Sequence, residues 1–206
     1  MLDHFLREMG TATTVTVTFQ VGGRSADLEM TADPMALGVE WCTAFLENPS
    51  KFRRLFTTQS GFALFSLFPG PDDWQRLFDL WMGAAGFSAE KLRYLRLALQ
   101  HLEAVEVDFL RDFQIDIYDW LRGEIPSRRV ANLVADLAGR PETRFGAAMF
   151  GFVTPLAAGE IMLATSVAAN SEAKRPHALL KTLAEVDVER EELAKMERMR
   201  ARGLSA

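Results

Sequence analysis

Four aspartates form the sharpest polar pattern in the sequence. They are Asp108, Asp112, Asp116 and Asp119. In a continuous helix they would share one face, where carboxylates could bind a divalent cation or act as paired acid and base. Like charges four residues apart oppose such a helix, however, and a break near residues 113–114 would separate them. Arginines that could neutralise them are Arg111, Arg122, Arg128 and Arg129. The pattern therefore favours an ion network, structural or partner-facing, over a metal or catalytic site.

Histidine and cysteine supply no catalytic arrangement. His4, His101 and His177 lie far apart in the sequence without metal-ligand spacing, and the single cysteine, Cys42, lies in an apolar run that predicts a buried thiol. No glycine-rich phosphate loop opens a helix, and no serine lies in a nucleophile elbow. We predict a protein that is not an enzyme and that takes no cofactor and no metal.

Aromatic residues are concentrated in one stretch of the chain. They are Phe52, Phe56, Phe62, Phe65, Phe68, Trp74, Phe78 and Trp81. Such a cluster is typical of a hydrophobic core, which is the favoured interpretation, but it could also form an exposed groove that grips an apolar helix of another protein. The sequence leaves both open. The neighbouring basic cluster, Lys51, Arg53 and Arg54, is better explained as a solvated helix face than as a nucleic-acid site.

The composition excludes a collagen-like, a disulfide-scaffold or a wholly disordered chain. The chain has 206 residues, of which 49% are hydrophobic and 25% charged, with a formal net charge of -5. These values are typical of a soluble globular protein, and a mildly acidic chain is a poor ligand for nucleic acid. The single cysteine, which cannot form an intramolecular disulfide, fits a reducing cytosol. Residues 145–170 are weakly charged, but Glu160 lies near their centre. We expect two buried helical segments there, divided near Pro155, and no membrane span.

The elements that must position these residues are mostly helices. Residues 13–21 and 25–30 alternate in polarity about Gly22-Gly23, which predicts a β-hairpin that packs on helices or pairs with another chain. The predicted fold is mainly α with this small N-terminal β-hairpin, an α+β class with a compact helical domain and a charged C-terminal helix. The expected segments are 1–30 for the N-terminal part with the hairpin, 31–180 for the helical domain and 181–206 for the charged tail.

Helix-capping and helix-breaking residues predict where the helices begin and end. Asp33-Pro34 begins a helix that ends near Asn48-Pro49. Ser88 begins a longer helix with an apolar stripe at Leu92, Leu95, Leu99 and Leu102. Residues 61–68 could be helix or buried strand. The other expected helices cover residues 50–56, 72–82 and 115–121, and one from residue 126 that turns Val130, Leu133, Val134 and Leu137 inward.

Residues 108–144 carry a recognisable pattern. Residues 108–130 read DFLRDFQIDIYDWLRGEIPSRRV, and Leu133-Val134, Leu137, Pro141, Thr143 and Arg144 follow. The segment resembles tail assembly chaperones of long-tailed bacteriophages, especially those that infect actinobacteria. Gln114 stands where that family usually has Gly, and residues 138–140 are an insertion before the Pro. Residues 159–170 are similar to the helix that follows in such proteins.

The resemblance implies a non-enzymatic chaperone. It would bind and solubilise the tape measure protein during tail assembly, in the cytoplasm of the infected bacterial host. The implied partners are the tape measure protein or other phage tail proteins, with a possible homo-oligomer and neither nucleic acid nor membrane. The candidate partner-binding residues are Phe52, Phe56, Phe62, Phe65, Trp74, Trp81, Asp116, Asp119, Trp120, Arg122, Arg128 and Arg129.

Two other functions stay open at this point. One is a structural virion subunit, such as a tail or head–tail connector component, which would oligomerise through its β-hairpin by strand addition. The other is an enzyme that uses the face formed by the four aspartates.

Overall fold

A computed structural model describes residues 14–170 together with Val186, Val188, Glu191, Ala194 and Lys195. Apart from those five positions, the predicted charged helix at 181–206 lies outside the described residues. The chain divides into two compact units, Met1–Ala135 and Asp136–Ala206. The predicted segments 1–30, 31–180 and 181–206 stay a prediction.

The described chain is mainly helical with one antiparallel β-hairpin, as predicted. The strands are β1 (Thr14–Val21) and β2 (Arg24–Thr31). The α-helices are α1 (Val39–Glu47), α2 (Thr58–Leu67), α3 (Pro71–Ala85), α4 (Ala89–Gln100), α5 (Leu102–Asp108), α6 (Ile117–Leu121), α7 (Ser127–Ala138), α8 (Arg144–Phe150) and α9 (Ala158–Asn170). Two 3-10 helices, Pro34–Leu37 and Pro49–Leu55, and a π-helical turn, Phe109–Phe113, complete the described order.

The hairpin confirms its sequence signature. Gly22 and Gly23 have φ values of 54° and 80°, which only glycine adopts without strain, and they form the turn between the strands. Val17 lies opposite Leu28, so the apolar positions of both strands fall on the same face. The buried side chains are Val15, Val17, Phe19, Leu28 and Met30.

The hairpin packs on helices of its own unit. Met30 forms a bridge with Phe56, and the Glu29 backbone is bound on both sides: its N–H donates to Ser60 Oγ at 2.7 Å and its carbonyl accepts from Thr57 N at 3.1 Å. The Trp81 indole N–H donates to the Thr31 carbonyl at 2.9 Å. These contacts occupy the C-terminal end of β2, from Glu29 to Thr31, and fix the hairpin to α2 and α3.

Most predicted helix ends are confirmed. Asp33 caps the first 3-10 helix, but Gly38 at φ 92° divides the predicted helix before α1 begins. Ser88 caps α4 as expected, and residues 61–68 lie mostly in α2. Of the apolar stripe predicted along α4, only Leu95 is fully buried, whereas Leu92, Leu99 and Leu102 are half-buried. The stripe is also not carried by one helix, because the helix is interrupted at His101.

Aromatic rings form much of the core of the first unit. Phe45 packs between Trp41 and Trp81 with centroid distances of 5.1 and 5.7 Å, and Phe52 packs on Phe78 at 5.4 Å. Trp81 also stacks on Phe87 at 5.6 Å. The core interpretation of the aromatic cluster is therefore confirmed for Phe52, Phe78 and Trp81.

In the second unit, Thr143 is the N-cap of α8. Its hydroxyl accepts from Gly146 N and donates to the Arg140 carbonyl, both at 2.8 Å, and so caps α8. A Cβ on Gly146 would lie 1.9 Å from that same carbonyl oxygen. The expected division near Pro155 is confirmed, because seven residues separate the end of α8 at Phe150 from the start of α9 at Ala158. The expected burial of the second segment is wrong: among the described side chains of α9 only Ala164 is buried, and Met162, Leu163 and Val167 are exposed. Within the described residues, no helix has the length and apolar character needed to cross a membrane.

Candidate functional site

The structure splits the aromatic cluster of the sequence into a buried part and an exposed part. Helix α2 is capped by Thr57 and turns Ser60, Leu64 and Leu67 into the protein. Its opposite side carries Phe62 and Phe65, and Phe68 follows at its C-terminal cap; the exposed fractions of the three side chains are 74%, 71% and 80%. We call these three residues the aromatic row.

The aromatic row is an unusual surface. Phe62 and Phe65 are three residues apart and therefore neighbours on the helix, and Phe68 follows at the helix end, where its φ of 52° is left-handed. Helix α2 contains no ionisable side chain. Single exposed apolar residues need no explanation, but several large ones together mark sites of interaction. Phe68 was missing from the predicted partner-binding residues, although its place before Pro69 at a helix end could have suggested exposure.

The other predicted aromatic residues lie deeper. Trp81 and Trp120 are fully buried, so in this conformation they support the fold and offer no surface to a partner. Phe52 is also largely buried, whereas Phe56 and Trp74 are half-buried. The structure brings these last three together, with Phe52 5.9 Å from Phe56 and 6.0 Å from Trp74 between ring centroids.

The four aspartates are separated by the predicted break. The π-helical turn Phe109–Phe113 and Gln114 at φ 55° interrupt the helix, so the carboxylates form two groups. Arg111 pairs with Asp108 at 3.2 Å and with Asp112 at 2.6 Å. In the described part of the chain, no group of three or more His, Cys, Asp or Glu side chains is placed to hold a metal ion.

Arg122 organises the second acidic group. It contacts Glu124 at 3.2 Å and Asp116 at 3.9 Å, and it donates a hydrogen bond to Asp119. The hydrogen bond to Glu124 raises the pKa of the guanidinium, and the charges of Glu124, Asp119 and Asp116 raise it further. Asp116 also caps α6 by accepting from Tyr118 N at 2.9 Å. The predicted ion network is therefore present, in two parts.

The arginine pair of the pattern is divided between two environments. Arg128 lies over Gly86: its Nη1 is 2.9 Å from the position a Cβ would take there. Arg129 is exposed on the first turn of α7. The structure therefore gives Arg128 a packing contact, whereas the side chain of Arg129 extends to the surface.

Asp33 and Ser127 form a long-range pair of hydrogen bonds that the sequence did not predict. Asp33 accepts from Ser127 N at 2.6 Å and from Ser127 Oγ at 2.5 Å, while also accepting from Met35 N at 2.9 Å. Ser127 Oγ in turn accepts from the indole N–H of Trp120 at 2.8 Å. The capping signal at Asp33 was visible in the sequence, but its second partner lies 94 residues away.

Cys42 is a buried thiol, as predicted. Burial raises its pKa to about 12, and the negative charge of Asp33 acts in the same direction. A thiol with so high a pKa is protonated at neutral pH and is a poor nucleophile.

Comparison with known proteins adds no relative. No family model, no curated protein and no solved structure matches this chain.

Proposed function

We propose that this protein is a tail assembly chaperone of a long-tailed bacteriophage. It binds the tape measure protein and keeps it soluble in the cytoplasm of the infected host while the tail tube assembles, and it performs no catalysis. The proposal draws on the resemblance of residues 108–144 to that family. The structural observation that carries it is the aromatic row, an apolar surface on a helix that contains no charge.

The aromatic row suits a chaperone because its contacts would be non-directional. Burying a phenylalanine side chain contributes about 1.5–3 kcal/mol, so three largely exposed rings offer several kcal/mol before the costs of association. This is enough for reversible capture of apolar helices. Without ionisable groups, α2 imposes little sequence selectivity, which fits a client made of many different apolar segments.

The Asp/Arg pattern supplies the polar part of the proposed interface. Arg111 and Arg122 are about half exposed, and Leu110 and Tyr118 extend to solvent beside them. Ion pairs at a rim contribute little affinity but affect the rate and specificity of association. In this proposal, Trp120 and Ser127 hold the segment in shape while Arg122 and its acidic partners face the client.

Co-expression tests the proposal. The tape measure protein is produced in bacteria with this protein or with an empty vector, and its soluble fraction is measured by quantitative immunoblot. A chaperone raises the soluble fraction several-fold. An unchanged soluble fraction at equal expression contradicts the proposal.

A structural virion subunit is the second candidate. The observation that favours it is strand β1, which pairs only with β2 in the described part of the chain, so its outer edge could accept a strand from another copy. Mass spectrometry of purified virions distinguishes the two. A chaperone is absent from the particle, whereas a subunit is present in stoichiometric amount.

A further inference from the structure

Two adjacent hollows lie on the first unit, away from the residues of the aromatic row. The first has a volume of 370 Å³ and is lined by Phe52, Arg53 and Trp74 among others. The second has a volume of 250 Å³ and is lined by Met82 and Leu92 among others. Pro49 and Phe78 line both, so the two hollows adjoin at a common wall, and we call the pair the double groove.

The charges at the double groove are all of one sign. Its charged lining residues are Arg53, Arg93 and Arg96, and all three are exposed. The Arg53 guanidinium lies 3.9 Å from the centre of a Trp74 ring, which holds it over the first hollow. Within the described residues, none of the three forms a salt bridge. Arginines without a carboxylate partner among the described residues, set beside apolar walls, stand out in a chain whose net charge is -5.

We propose that the double groove binds an apolar α-helix flanked by carboxylates. Side chains four residues apart on a helix have Cβ atoms about 5–6 Å apart, so one helix can place a large apolar side chain in each of two adjoining hollows. Glu or Asp residues beside those anchors then meet the arginines, whose planar guanidinium matches a carboxylate in a two-point contact.

The geometry favours this occupant over a nucleic acid. Phosphates would pair with the arginines, but a base would need an open aromatic face, and the guanidinium of Arg53 already covers one face of Trp74. The apolar walls would then stay unfilled. The inference goes beyond the proposed function and does not depend on it, because it requires no tail protein and none of the aromatic row lines the double groove.

Designed peptides test the proposal. Three fluorescein-labelled helical peptides of equal length are titrated with the full-length protein and followed by anisotropy. The first has leucines at positions i and i+4 flanked by glutamates, the second replaces the glutamates with lysines, and the third replaces the leucines with alanines. The glutamate peptide should bind at least tenfold more tightly than either other peptide, and its Kd should rise with salt. Equal binding of the glutamate and lysine peptides overturns the proposal.

Surface variants locate the binding site. Arg93→Glu and Arg96→Glu should each raise the Kd of the glutamate peptide at least fivefold, whereas Arg24→Glu, the same charge change on the exposed end of the hairpin, should leave it within twofold. Equal effects of all three substitutions overturn the proposal. So does loss of binding when the aromatic row is replaced, or tighter binding of a single-stranded oligonucleotide than of the peptide. The tape measure protein plays no part in this assay, so its result is independent of the proposed function.

Discussion

Replacement of Asp33 with alanine is expected to destabilise the first unit strongly. The carboxylate accepts three hydrogen bonds, two of them from Ser127, which is fully buried. Each buried donor left without an acceptor costs about 1–3 kcal/mol, and loss of the cap on Met35 N costs about 1 kcal/mol. The expected loss is about 3–7 kcal/mol, a large part of the roughly 5–15 kcal/mol that stabilises a typical domain.

Urea unfolding followed by tryptophan fluorescence measures this loss. The four tryptophans all lie in the first unit, so the signal reports on that unit alone. Asp27→Ala is the matched control, because Asp27 is exposed and accepts one hydrogen bond, from Thr18 at 2.7 Å. Asp27→Ala should lower the free energy of unfolding by no more than about 0.5 kcal/mol.

A double-mutant cycle isolates the contact itself. Ser127→Ala also removes the acceptor of the Trp120 indole and should cost about 1–3 kcal/mol. If the hydrogen bonds between Asp33 and Ser127 cause the destabilisation, the loss of unfolding free energy in the double variant is smaller than the sum of the losses in the two single variants, by about 1 kcal/mol or more. Additive losses, or equal losses in Asp33→Ala and the control, would refute the reasoning.

Three further outcomes follow from the structure. Gly146→Ala should prevent the second unit from folding normally, because its Cβ would lie 1.9 Å from the Arg140 carbonyl oxygen; a native circular dichroism spectrum and melting temperature would contradict this. Replacing the whole aromatic row with glutamine should change the unfolding free energy by no more than about 0.5 kcal/mol per site, whereas Leu64→Ala, at the buried face of the same helix, should cost about 2–5 kcal/mol in the urea assay. Native Cys42 should resist alkylation at pH 8 and react after unfolding. Because its pKa is raised from 9.0 to about 12, the folded state holds the proton more tightly, so stability falls as pH rises from about 9 towards 12 and falls less in Cys42→Ala; equal pH profiles of the two proteins would count against this.

Local signals in the sequence predicted much of the fold. The alternation around Gly22-Gly23, the caps at Asp33 and Ser88 and the break near residues 113–114 all depend on neighbours in the chain, and the structure confirms them. The pairing of Asp33 with Ser127 could not be predicted in this way. It joins residues 94 positions apart, and no local pattern records such a contact.

The sequence predicted the aromatic cluster but not which of its side chains are exposed. Helix α2 carries no charge on any side, and Leu64 and Leu67 lie between the phenylalanines in the sequence, so periodicity could not show which side is buried. The answer came from the hairpin, which packs against Ser60 and so turns the leucines inward and the aromatic row outward. Burial likewise gives Trp81 and Trp120 a supporting position that their residue type alone did not reveal.

The most direct test of the proposed chaperone function measures how the aromatic row affects the solubility of the tape measure protein. The protein is co-expressed as the wild type, as the variant with Phe62→Gln, Phe65→Gln and Phe68→Gln, or as Phe150→Gln, a control at another exposed phenylalanine. We predict that the wild type and the control keep the tape measure protein soluble and that the triple variant, although folded, does not. Equal solubility of the tape measure protein with the triple variant and with the wild type would contradict the proposal that the aromatic row holds it in solution.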